Sequence, residues 1–541
     1  MANNEESSRF LIGLNMDGAV SAGAYTAGAM DFLIDALECW QKAKSGGIRG
    51  IPQHKVEICV MSGASAGGMT SAIAAAALTE EFHPVRSIPL SGQNTANKLH
   101  QSWVEKIDIS ELLSDSDLAD PKAGVPSLLN SKPIGAIADA AFYLNPRAAG
   151  RRPYVAESLQ LILTVTNLRG VPYSVDESRN IETQVYYYGD DRRFAVEWPA
   201  GAAAPQADWK SIGEAAVATG AFPLALAARK IDRLARDYNQ RRWLVYKGDP
   251  MQEQETIIGP KWDLADDDTY ATLNVDGGVT NNSPFELNRR ALAAIAPASP
   301  NGRNRRAGST ADRAVITIAP FPTSAVFNPK YDSNPSLLAL AGKLLTVLIA
   351  QSRFSGENLC LVKDEDVFSR FMIAPKIGQP AGKVLNALSG ASLGAFGGFL
   401  AREFREDDYQ LGRRNCQQFL RKHFVLPKDN PLITGGLPKE PLAAQFQFTE
   451  DGQEWVPIIP LMPEVAGEIP VRRTKLDPSQ IEPIVEAATE RLKRVIEGEI
   501  PLHGGWKILF TMAWPILRRR LKNAMTDTIL KNLQEQQLLK T

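Results

Sequence analysis

The sequence predicts an α/β fold built on a central, mostly parallel sheet with helices packed against it. Three segments support this prediction, at residues 10–37, 56–78 and 270–294. In each of them an apolar run of strand length is followed by a glycine-containing turn and then by a helical pattern. Strands that alternate with helices in this way are typical of sheets whose strands run parallel.

Composition and charge argue against several classes of protein. The chain has 541 residues, too many for one ordinary core, which predicts a large domain with additions or two to three domains. Lys and Arg number 60 against 61 Asp and Glu, so the formal net charge of −1 provides no overall field for nucleic acid. The four cysteines are scattered without CxxC spacing, which indicates neither a disulfide framework nor a zinc site.

The expected compartment follows from the N-terminus and from hydropathy. The first residues are polar and acidic and leave no room for a signal peptide before the first strand. No apolar run is long enough to span a bilayer. We therefore expect a cytoplasmic protein of bacterial style.

The first strand is predicted at residues 10–16 and leads into a loop that contains Gly18, Gly23 and Gly28. This spacing does not fit the Gly-x-Gly-x-x-Gly fingerprint of dinucleotide-binding folds. The alternative is a loop whose free backbone N–H groups stabilise an oxyanion.

The second unit carries Gly63-Ala64-Ser65-Ala66-Gly67 between a β-branched strand and a helix of small residues. This is the pattern of a nucleophile elbow, a sharp turn that exposes a serine hydroxyl at the end of a sheet. Glycines flank the serine where a Cβ would clash, and the following helix N-terminus favours developing negative charge. A tight turn with an incidental serine is the alternative, because such pentapeptides arise by chance in long chains.

The third unit places Asp276 at the end of an apolar strand, followed directly by Gly277 and Gly278. The paired glycines let the chain turn tightly, and a helix is predicted after Pro284. An Asp-Gly turn without a chemical role is the alternative.

If the first two units lie on neighbouring strands, their turns meet at the carboxyl edge of the sheet, where open α/β sheets bind ligands.

The remaining elements are less informative about function. Further strands are predicted at 159–166, 183–188 and 315–320, and helices at 212–218, 337–351, 404–424 and 477–498. Residues 80–155 are expected to be rich in loops, and residues 425–476 to be extended because they are rich in proline.

A catalytic serine needs a base within hydrogen-bond reach. The five histidines fall in predicted polar loops or away from any recognisable core strand, at His54, His83, His100, His423 and His503. A direct pair of Ser65 and Asp276 therefore fits better than a Ser-His-Asp triad.

A second Gly-x-Ser-x-Gly sequence surrounds Ser392. The residues before it are predicted to be helical, and no β-branched strand leads into the turn. Because the preceding strand is what validates the motif, we reject Ser392 as a nucleophile and predict close helix packing there.

Taken together, three segments resemble the signatures of patatin-like phospholipases in both order and context. They are residues 18–28, residues 63–67 and Asp276-Gly277-Gly278. The segments 218–223 and 279–284 are also similar to the family's helix-to-proline and post-aspartate segments. The resemblance covers residues 9–325 and leaves residues 326–541 as a mainly helical C-terminal extension with a packing or regulatory role.

The resemblance implies a three-layer α/β/α fold and hydrolysis of lipid acyl esters without a metal or other cofactor. Ser65 would be the nucleophile, Asp276 the base, and the N–H groups of Gly18 and Ala19 the oxyanion hole. The family usually has two or three consecutive glycines in this loop, whereas Gly18 is followed here by Ala19 and Val20. Alanine supplies an N–H, but it would be strained if its φ had to be positive.

The C-terminal tail combines Trp506 and Trp514 with Arg518, Arg519 and Arg520. This composition is typical of a helix at a membrane interface and would give peripheral contact with a lipid surface. A packing helix with solvated arginines is the alternative and the commoner case on globular domains.

The expected substrate is a glycerophospholipid, with no nucleic acid partner, and the sequence leaves self-association open. Two other functions compete with this expectation. One is a neutral-lipid or general esterase, and the other is a weakly catalytic interaction protein whose C-terminal half carries the function.

Overall fold

A computed structural model provides the three-dimensional description of the chain. It describes residues 9–88, 95–120, 124–144, 150–178, 181–199, 204–246, 253–299, 302–321, 340, 347, 351–352, 367–377, 387–499 and 505–540.

Thirteen strands lie within these ranges. They are β1 Arg9–Met16, β2 Lys55–Gly63, β3 Val155–Ser178, β4 Ile181–Glu197, β5 Arg229–Leu234, β6 Arg242–Tyr246, β7 Glu253–Ile257, β8 Thr269–Asp276, β9 Arg313–Ile318, β10 Arg370–Ile373, β11 Val425–Pro427, β12 Phe448–Glu450 and β13 Gln453–Pro457.

The longer helices among the described residues number eight. They are α1 Gly23–Ser45, α2 Ser65–Ala77, α3 Lys132–Phe142, α4 Trp209–Thr219, α5 Phe285–Ala293, α6 Arg402–Lys422, α7 Ile481–Glu499 and α8 Gly505–Glu535. Shorter helical turns include Lys98–His100, Gln101–Glu105, Ile109–Leu112, Arg236–Asn239, Ser392–Ala395, Pro431–Gly435 and Pro463–Ala466.

The central sheet has eight strands and is mostly parallel over its core. Its order is β10-β9-β1-β2-β3-β8-β5, and β4 pairs with β3. The strands from β10 to β3 run parallel to their neighbours, whereas β4, β8 and β5 pair antiparallel. The predicted α/β class is confirmed, and β1 and β2 are neighbours as expected for the first two units.

Helices cover both faces of this sheet. Successive residues of a strand point to opposite faces, and apolar side chains on each face pack against helices. On one face Phe10, Ile12 and Ile58 pack in a large apolar cluster with residues of α1, α2 and α6. On the other face Leu11 and Val315 pack in a separate cluster with residues of α5.

The sheet does not end at the predicted domain boundary near residue 325. Strand β10 pairs with β9 and extends the same sheet. Helix α6 crosses α1 at close range, since a Cβ at Gly28 would lie 1.9 Å from the Tyr409 carbonyl oxygen. The Arg413 guanidinium lies between Asp31 and Asp35 of α1 and pairs with both. The segment after residue 325 therefore shares the core of the segment before it and is not a separate extension.

Several C-terminal predictions can be compared with the structure. The helix predicted at 404–424 is α6, and four of its charged residues, Arg405, Asp407, Asp408 and Arg413, are buried. Part of the region predicted to be extended forms a three-stranded antiparallel sheet of β11, β13 and β12. The helix predicted after Asp477 is confirmed, with Asp477 and Gln480 forming a capping box before α7. The prediction for 337–351 falls almost wholly outside the described residues.

The loops predicted at 80–155 contain α3 and several helical turns. Over the described residues we find no helix with the length and apolarity needed to cross a bilayer.

Candidate active site

Ser65 lies at the sharp turn from β2 into α2, where the sequence predicts a nucleophile elbow. Its φ is +52°, a left-handed value that is uncommon for a residue with a side chain. A Cβ at Gly63 would lie 2.5 Å from the Gly67 carbonyl, and one at Gly67 would lie 2.1 Å from the Met16 carbonyl oxygen. Both glycines are therefore required by close backbone approach, and they hold Ser65 in its strained conformation.

Asp276 lies at the end of β8, and its carboxylate faces the Ser65 hydroxyl. The Ser65 Oγ donates a hydrogen bond of 2.6 Å to Asp276 Oδ2. The second oxygen, Oδ1, accepts a hydrogen bond of 2.7 Å from the Gly278 amide, which fixes the orientation of the carboxylate. The structure thus brings together two residues that are 211 positions apart in the chain.

Burial gives the Asp276 carboxyl the basicity that a neutral-pH proton acceptor needs. Asp276 is only 3% exposed. Burial raises the pKa of Asp276 to about 7, although the hydrogen bonds from Ser65 and Gly278 act in the opposite direction. A carboxylate with a pKa near the working pH is an effective general base.

Gly277 and the strand beside it support this placement. A Cβ at Gly277 would lie 2.2 Å from the Thr164 carbonyl oxygen, so β3 and the turn after Asp276 are in close contact. The Thr166 hydroxyl donates a hydrogen bond of 2.9 Å to the Asp276 carbonyl oxygen. These contacts explain why a residue without a side chain follows the aspartate.

The glycine-containing loop lies directly against Ser65. A Cβ at Gly18 would lie 3.1 Å from the Ser65 Cβ and 1.9 Å from Asn282 Oδ1. The Gly18 amide, however, donates a hydrogen bond of 3.1 Å to the Asn282 carbonyl oxygen. Gly18 is therefore needed for close approach, and its amide is engaged in this conformation.

Ala19 is the other predicted oxyanion donor, and its φ is not positive. At −153°, the φ of Ala19 is not the left-handed value that would strain an alanine. The positive φ in this loop belongs to Val20, at +47°. Within the part of the chain that the structure describes, no acceptor pairs with the Ala19 amide. Of the two predicted donors, Ala19 is the one that remains available.

Thr219 belongs to the candidate site but was not predicted as a site residue from the sequence, although the segment 218–223 was singled out. Its Oγ1 accepts a hydrogen bond of 2.9 Å from the Ser65 amide. A Cβ at Gly68 would lie 2.7 Å from Thr219 Cγ2. The end of α4 is therefore packed against the elbow. In the sequence, Thr219 is marked only as a threonine at the end of a predicted helix, just before Gly220. Threonines are common at such positions, so this pattern does not identify a site residue.

An apolar cavity of about 50 Å³ lies beside Ser65. Six segments of the chain contribute to its lining, which consists of Val20, Ser65, Ala66, Met69, Trp103, Ile107, Leu112, Leu129, Ile134, Gly220, Phe222, Ala225, Leu226, Phe396 and Phe399. Phe396 packs edge-on against Phe222, with ring centroids 5.7 Å apart. The C-terminal part of the chain therefore contributes directly to the environment of the candidate nucleophile.

The covering segment, residues 387–400, brings these two phenylalanines to the site. The Ser21 hydroxyl donates a hydrogen bond of 2.6 Å to the Ala395 carbonyl oxygen and accepts one of 3.0 Å from the Gly398 amide. The Leu393 amide donates a hydrogen bond of 2.8 Å to Asn532 Oδ1 on α8. The covering segment is thus fixed both to the loop after β1 and to the tail helix.

Ser392 lies in this segment and has none of the features of Ser65. Its φ is −61°, and its hydroxyl donates to the Ser389 carbonyl oxygen. The segment before it is a short 3-10 turn, Ser389–Ala391, instead of a strand. The rejection of Ser392 agrees with this geometry, but the packing is that of kinked turns and not of the predicted helix.

Two histidines predicted in polar loops are buried. His54 is 3% exposed and its Nε2 lies 2.8 Å from the Ile458 carbonyl oxygen, and burial lowers its pKa to about 4. His100 Nδ1 lies 2.9 Å from a Glu105 carboxylate oxygen. Across the described ranges, no hydrogen bond joins a histidine to Ser65 or Asp276.

No cluster of three or more metal-ligating side chains occurs in the described part of the chain. The expectation that catalysis needs no metal remains a prediction, because the structure holds no ligands of any kind.

The residues predicted to contact a membrane lie on the tail helix α8 and differ in their exposure. Trp514 is 6% exposed, and Arg518 pairs with Glu486 and Glu490 of α7. Arg519 and Arg520 are exposed. Trp506 lies in the helix, but its side chain is outside the described part. Trp514 and Arg518 therefore pack against the rest of the protein, as the alternative of a packing helix predicts.

Comparison with known proteins identifies one clear relative. The uncharacterized protein y4iI of Sinorhizobium fredii is 34% identical over 548 residues, which covers 90% of this chain and 75% of that protein. This chain belongs to the y4iI family. No protein-family model matches it.

Among solved structures, the crystal structure of VipD from Legionella pneumophila was matched over 97% of this chain and 90% of that one. The identity is 11% and the TM-score is 0.21. A likeness at this level carries no argument about fold or activity, and the y4iI relative brings no function with it. The function must therefore be inferred from the site itself.

Proposed function

We propose that this protein is a serine acyl hydrolase of patatin-like type that cleaves ester bonds of glycerophospholipids. One observation carries the proposal: the strained Ser65 donates a 2.6 Å hydrogen bond to the buried carboxylate of Asp276. A serine hydroxyl is a weak nucleophile unless a base is within reach, and Asp276 is such a base.

The first half of the reaction forms an acyl-enzyme. Asp276 accepts the proton of the Ser65 hydroxyl as Oγ attacks the ester carbonyl carbon. The carbonyl oxygen becomes an oxyanion, which the Ala19 amide and the N-terminus of α2 stabilise. The tetrahedral intermediate then expels the alcohol, the lysophospholipid, which takes the proton from Asp276.

The second half releases the fatty acid. Asp276, again a carboxylate, accepts a proton from a water molecule that attacks the acyl carbonyl carbon. The ester bond to Ser65 breaks, and Ser65 Oγ recovers the proton from Asp276. The site is thereby restored, and no metal or other cofactor takes part in the sequence.

The apolar cavity supports an acyl substrate but also favours a second candidate, a short-chain esterase. Its volume of about 50 Å³ is well below the ~150 Å³ of an engineered cavity that admits benzene. A long acyl chain would therefore require the covering segment to move, whereas a short one would not. A panel of esters with increasing acyl length separates the two candidates.

The experiment that tests the proposal is labelling of the full chain with a fluorophosphonate, together with release of fatty acid from phospholipid micelles. We expect the unmodified protein to be labelled and active, and Ser65→Ala and Asp276→Asn to lose both properties. Ser392→Ala is the matched control, since Ser392 lies in the same pentapeptide pattern, and it should behave like the unmodified protein. Fatty acid release by Ser65→Ala at the unmodified rate would refute the proposal.

A membrane surface is the natural source of such a substrate, and α8 offers a place of contact. Met512 and Ile516 are 72% and 66% exposed, one helical turn apart. The exposed Arg519 and Arg520 follow them. Apolar side chains beside cations match the acyl boundary and the phosphates of a lipid surface. Peripheral contact through this face of α8 is part of the proposal.

A further inference from the structure

A second, larger cavity lies apart from the Ser65 site and is strongly polar. It has a volume of about 450 Å³ and lies between β4, β5, the β6–β7 hairpin and α5. Its charged lining consists of Asp190, Asp191, Arg192, Arg193, Arg233, Asp237, Arg241, Arg242, Glu255 and Arg290. We call this cavity the arginine cleft. Every cation in its lining is an arginine.

The four acidic residues of the cleft are already engaged by four of its arginines. Arg233 lies 2.7 Å from Asp190 and 3.0 Å from Asp237. Arg241 lies 3.3 Å from Asp190 and 3.4 Å from Asp191, and the remaining pairs are Arg193 with Asp191 and Arg242 with Glu255. Six arginines face four carboxylates, so the lining carries an excess of two positive charges.

Arg192 and Arg290 are the source of this excess. Among the described residues no carboxylate lies within ion-pair distance of either guanidinium. The Arg192 guanidinium lies above the Phe194 ring at 5.4 Å, and Arg290 Nε donates only to the Glu286 carbonyl oxygen at 3.3 Å. Burial and the neighbouring Arg233 both disfavour the charged form of Arg192 and lower its pKa. A bound anion would offset both effects.

The chemistry of the lining selects the class of anion. Arginine presents a planar set of donors that binds phosphate oxygens in pairs, and it is preferred over lysine where such recognition matters. The volume of the cleft exceeds that of a single phosphate group, whose oxygens two guanidinium groups could hold together. We propose that the arginine cleft binds a phosphate-bearing anion between Arg192 and Arg290.

The cleft and the cavity beside Ser65 share no lining residue. Asp190 of the cleft and Asp276 of the candidate site pair with the same residue, Val165, on the two edges of β3. Anion binding in the cleft therefore does not depend on the proposed hydrolase activity, and the two proposals can fail separately.

The experiment is calorimetric titration of the full chain at low salt, with pyrophosphate for a free anion and glycerol 3-phosphate for a lipid headgroup. We expect saturable binding of at least one of them and a loss of at least tenfold in affinity in the double variant Arg192→Ala/Arg290→Ala. The more tightly bound probe indicates the source of the phosphate.

The matched control is Arg49→Ala/Arg472→Ala, which removes the same charge from two exposed positions outside the cleft and should leave the affinity unchanged. Arg290→Glu is the second variant and should also lose affinity. It changes only one half-buried position, and circular dichroism checks that it folds. The proposal is overturned if neither probe binds saturably, or if the cleft and control variants lose affinity equally.

Discussion

The Ser65 amide donates a hydrogen bond of 2.9 Å to the Thr219 hydroxyl oxygen, so the end of α4 fixes the backbone of the candidate nucleophile. This bond holds the residue at a φ of +52° while its side chain donates to Asp276. A strained residue keeps its conformation only when its surroundings determine it strongly.

Replacement of Thr219 is therefore expected to disturb catalysis more than folding. Thr219→Val keeps the shape but removes the acceptor, and we expect the fluorophosphonate labelling rate to fall about tenfold. Stability should drop by only ~1 kcal/mol, a typical value for one hydrogen bond. Thr219→Ser keeps the oxygen and serves as the control. Equal labelling rates in the two variants would show that the Ser65–Thr219 bond does not position the nucleophile.

The pH dependence of the reaction should report the pKa of Asp276. The base must be ionised to accept the Ser65 proton, and burial raises its pKa to about 7. We expect kcat/KM to rise with pH up to about 7 and then to level off. The measurement is a pH profile with an uncharged ester, and a profile that is flat between pH 5 and 8 would contradict it.

The free energy of unfolding should also depend on the ionisation of Asp276, but it should fall as the pH rises, whereas kcat/KM should increase. The pKa of Asp276 is above that of an unfolded aspartate, so the folded chain binds the proton more tightly than the unfolded one between about 4 and 7. The stability contributed by this proton is full below that window and is lost as the pH rises through 7. Asp276→Asn removes the titration and should raise the Tm at pH 8 relative to the unmodified protein. A lower Tm for Asp276→Asn at pH 8 would contradict this expectation.

Phe396 should limit the length of acyl chain that reaches Ser65. Phe396→Ala removes a ring that lines the cavity, and each buried methylene of the acyl chain contributes ~0.8 kcal/mol. We expect the ratio of kcat/KM for a twelve-carbon ester over a four-carbon ester to rise about tenfold. Phe368→Ala is the matched control, because its ring is also half-buried and lies 5.7 Å from the aromatic ring of Trp455. An unchanged ratio in Phe396→Ala would remove the covering segment from substrate selection.

The exposed face of α8 should govern binding to vesicles. Met512→Glu/Ile516→Glu places charge where apolar contact with lipid is proposed, so we expect at least a tenfold loss of binding to anionic vesicles in a sedimentation assay. Thr511→Glu/Ala513→Glu adds the same charge at two other exposed positions of the helix. If both double variants lose binding equally, the effect is one of net charge and not of the Met512–Ile516 face.

Ser65 and Asp276 of the candidate site could be singled out in the sequence because each has characteristic immediate neighbours. Ser65 is flanked by glycines that close backbone contacts require, and Asp276 precedes a glycine that packs against β3. Such local requirements leave a pattern that can be recognised along the chain. The parallel strands and the α/β class were predictable for the same reason, because their apolar runs and turns are local.

The contributions of distant segments left no such pattern. Phe396 and Phe399 reach the Ser65 cavity through a fold that no periodicity predicts, and Thr219 differs from other threonines only by its location. The engagement of the Gly18 amide by Asn282 depends on the path of the chain after Asp276. These features arise from tertiary packing, which single-sequence patterns do not determine.

The pairing of β10 with β9 bears on how this protein could have changed during evolution. A region that only adds to a finished domain can be lost or exchanged through recombination at the linker. Here β10 lies along one edge of the sheet, and α6 covers α1 through glycine contacts. A cut near residue 325 would leave β9 as an unpaired edge, which invites aggregation. The two halves of the chain are therefore expected to be inherited together, with matching changes on the facing surfaces of α1 and α6.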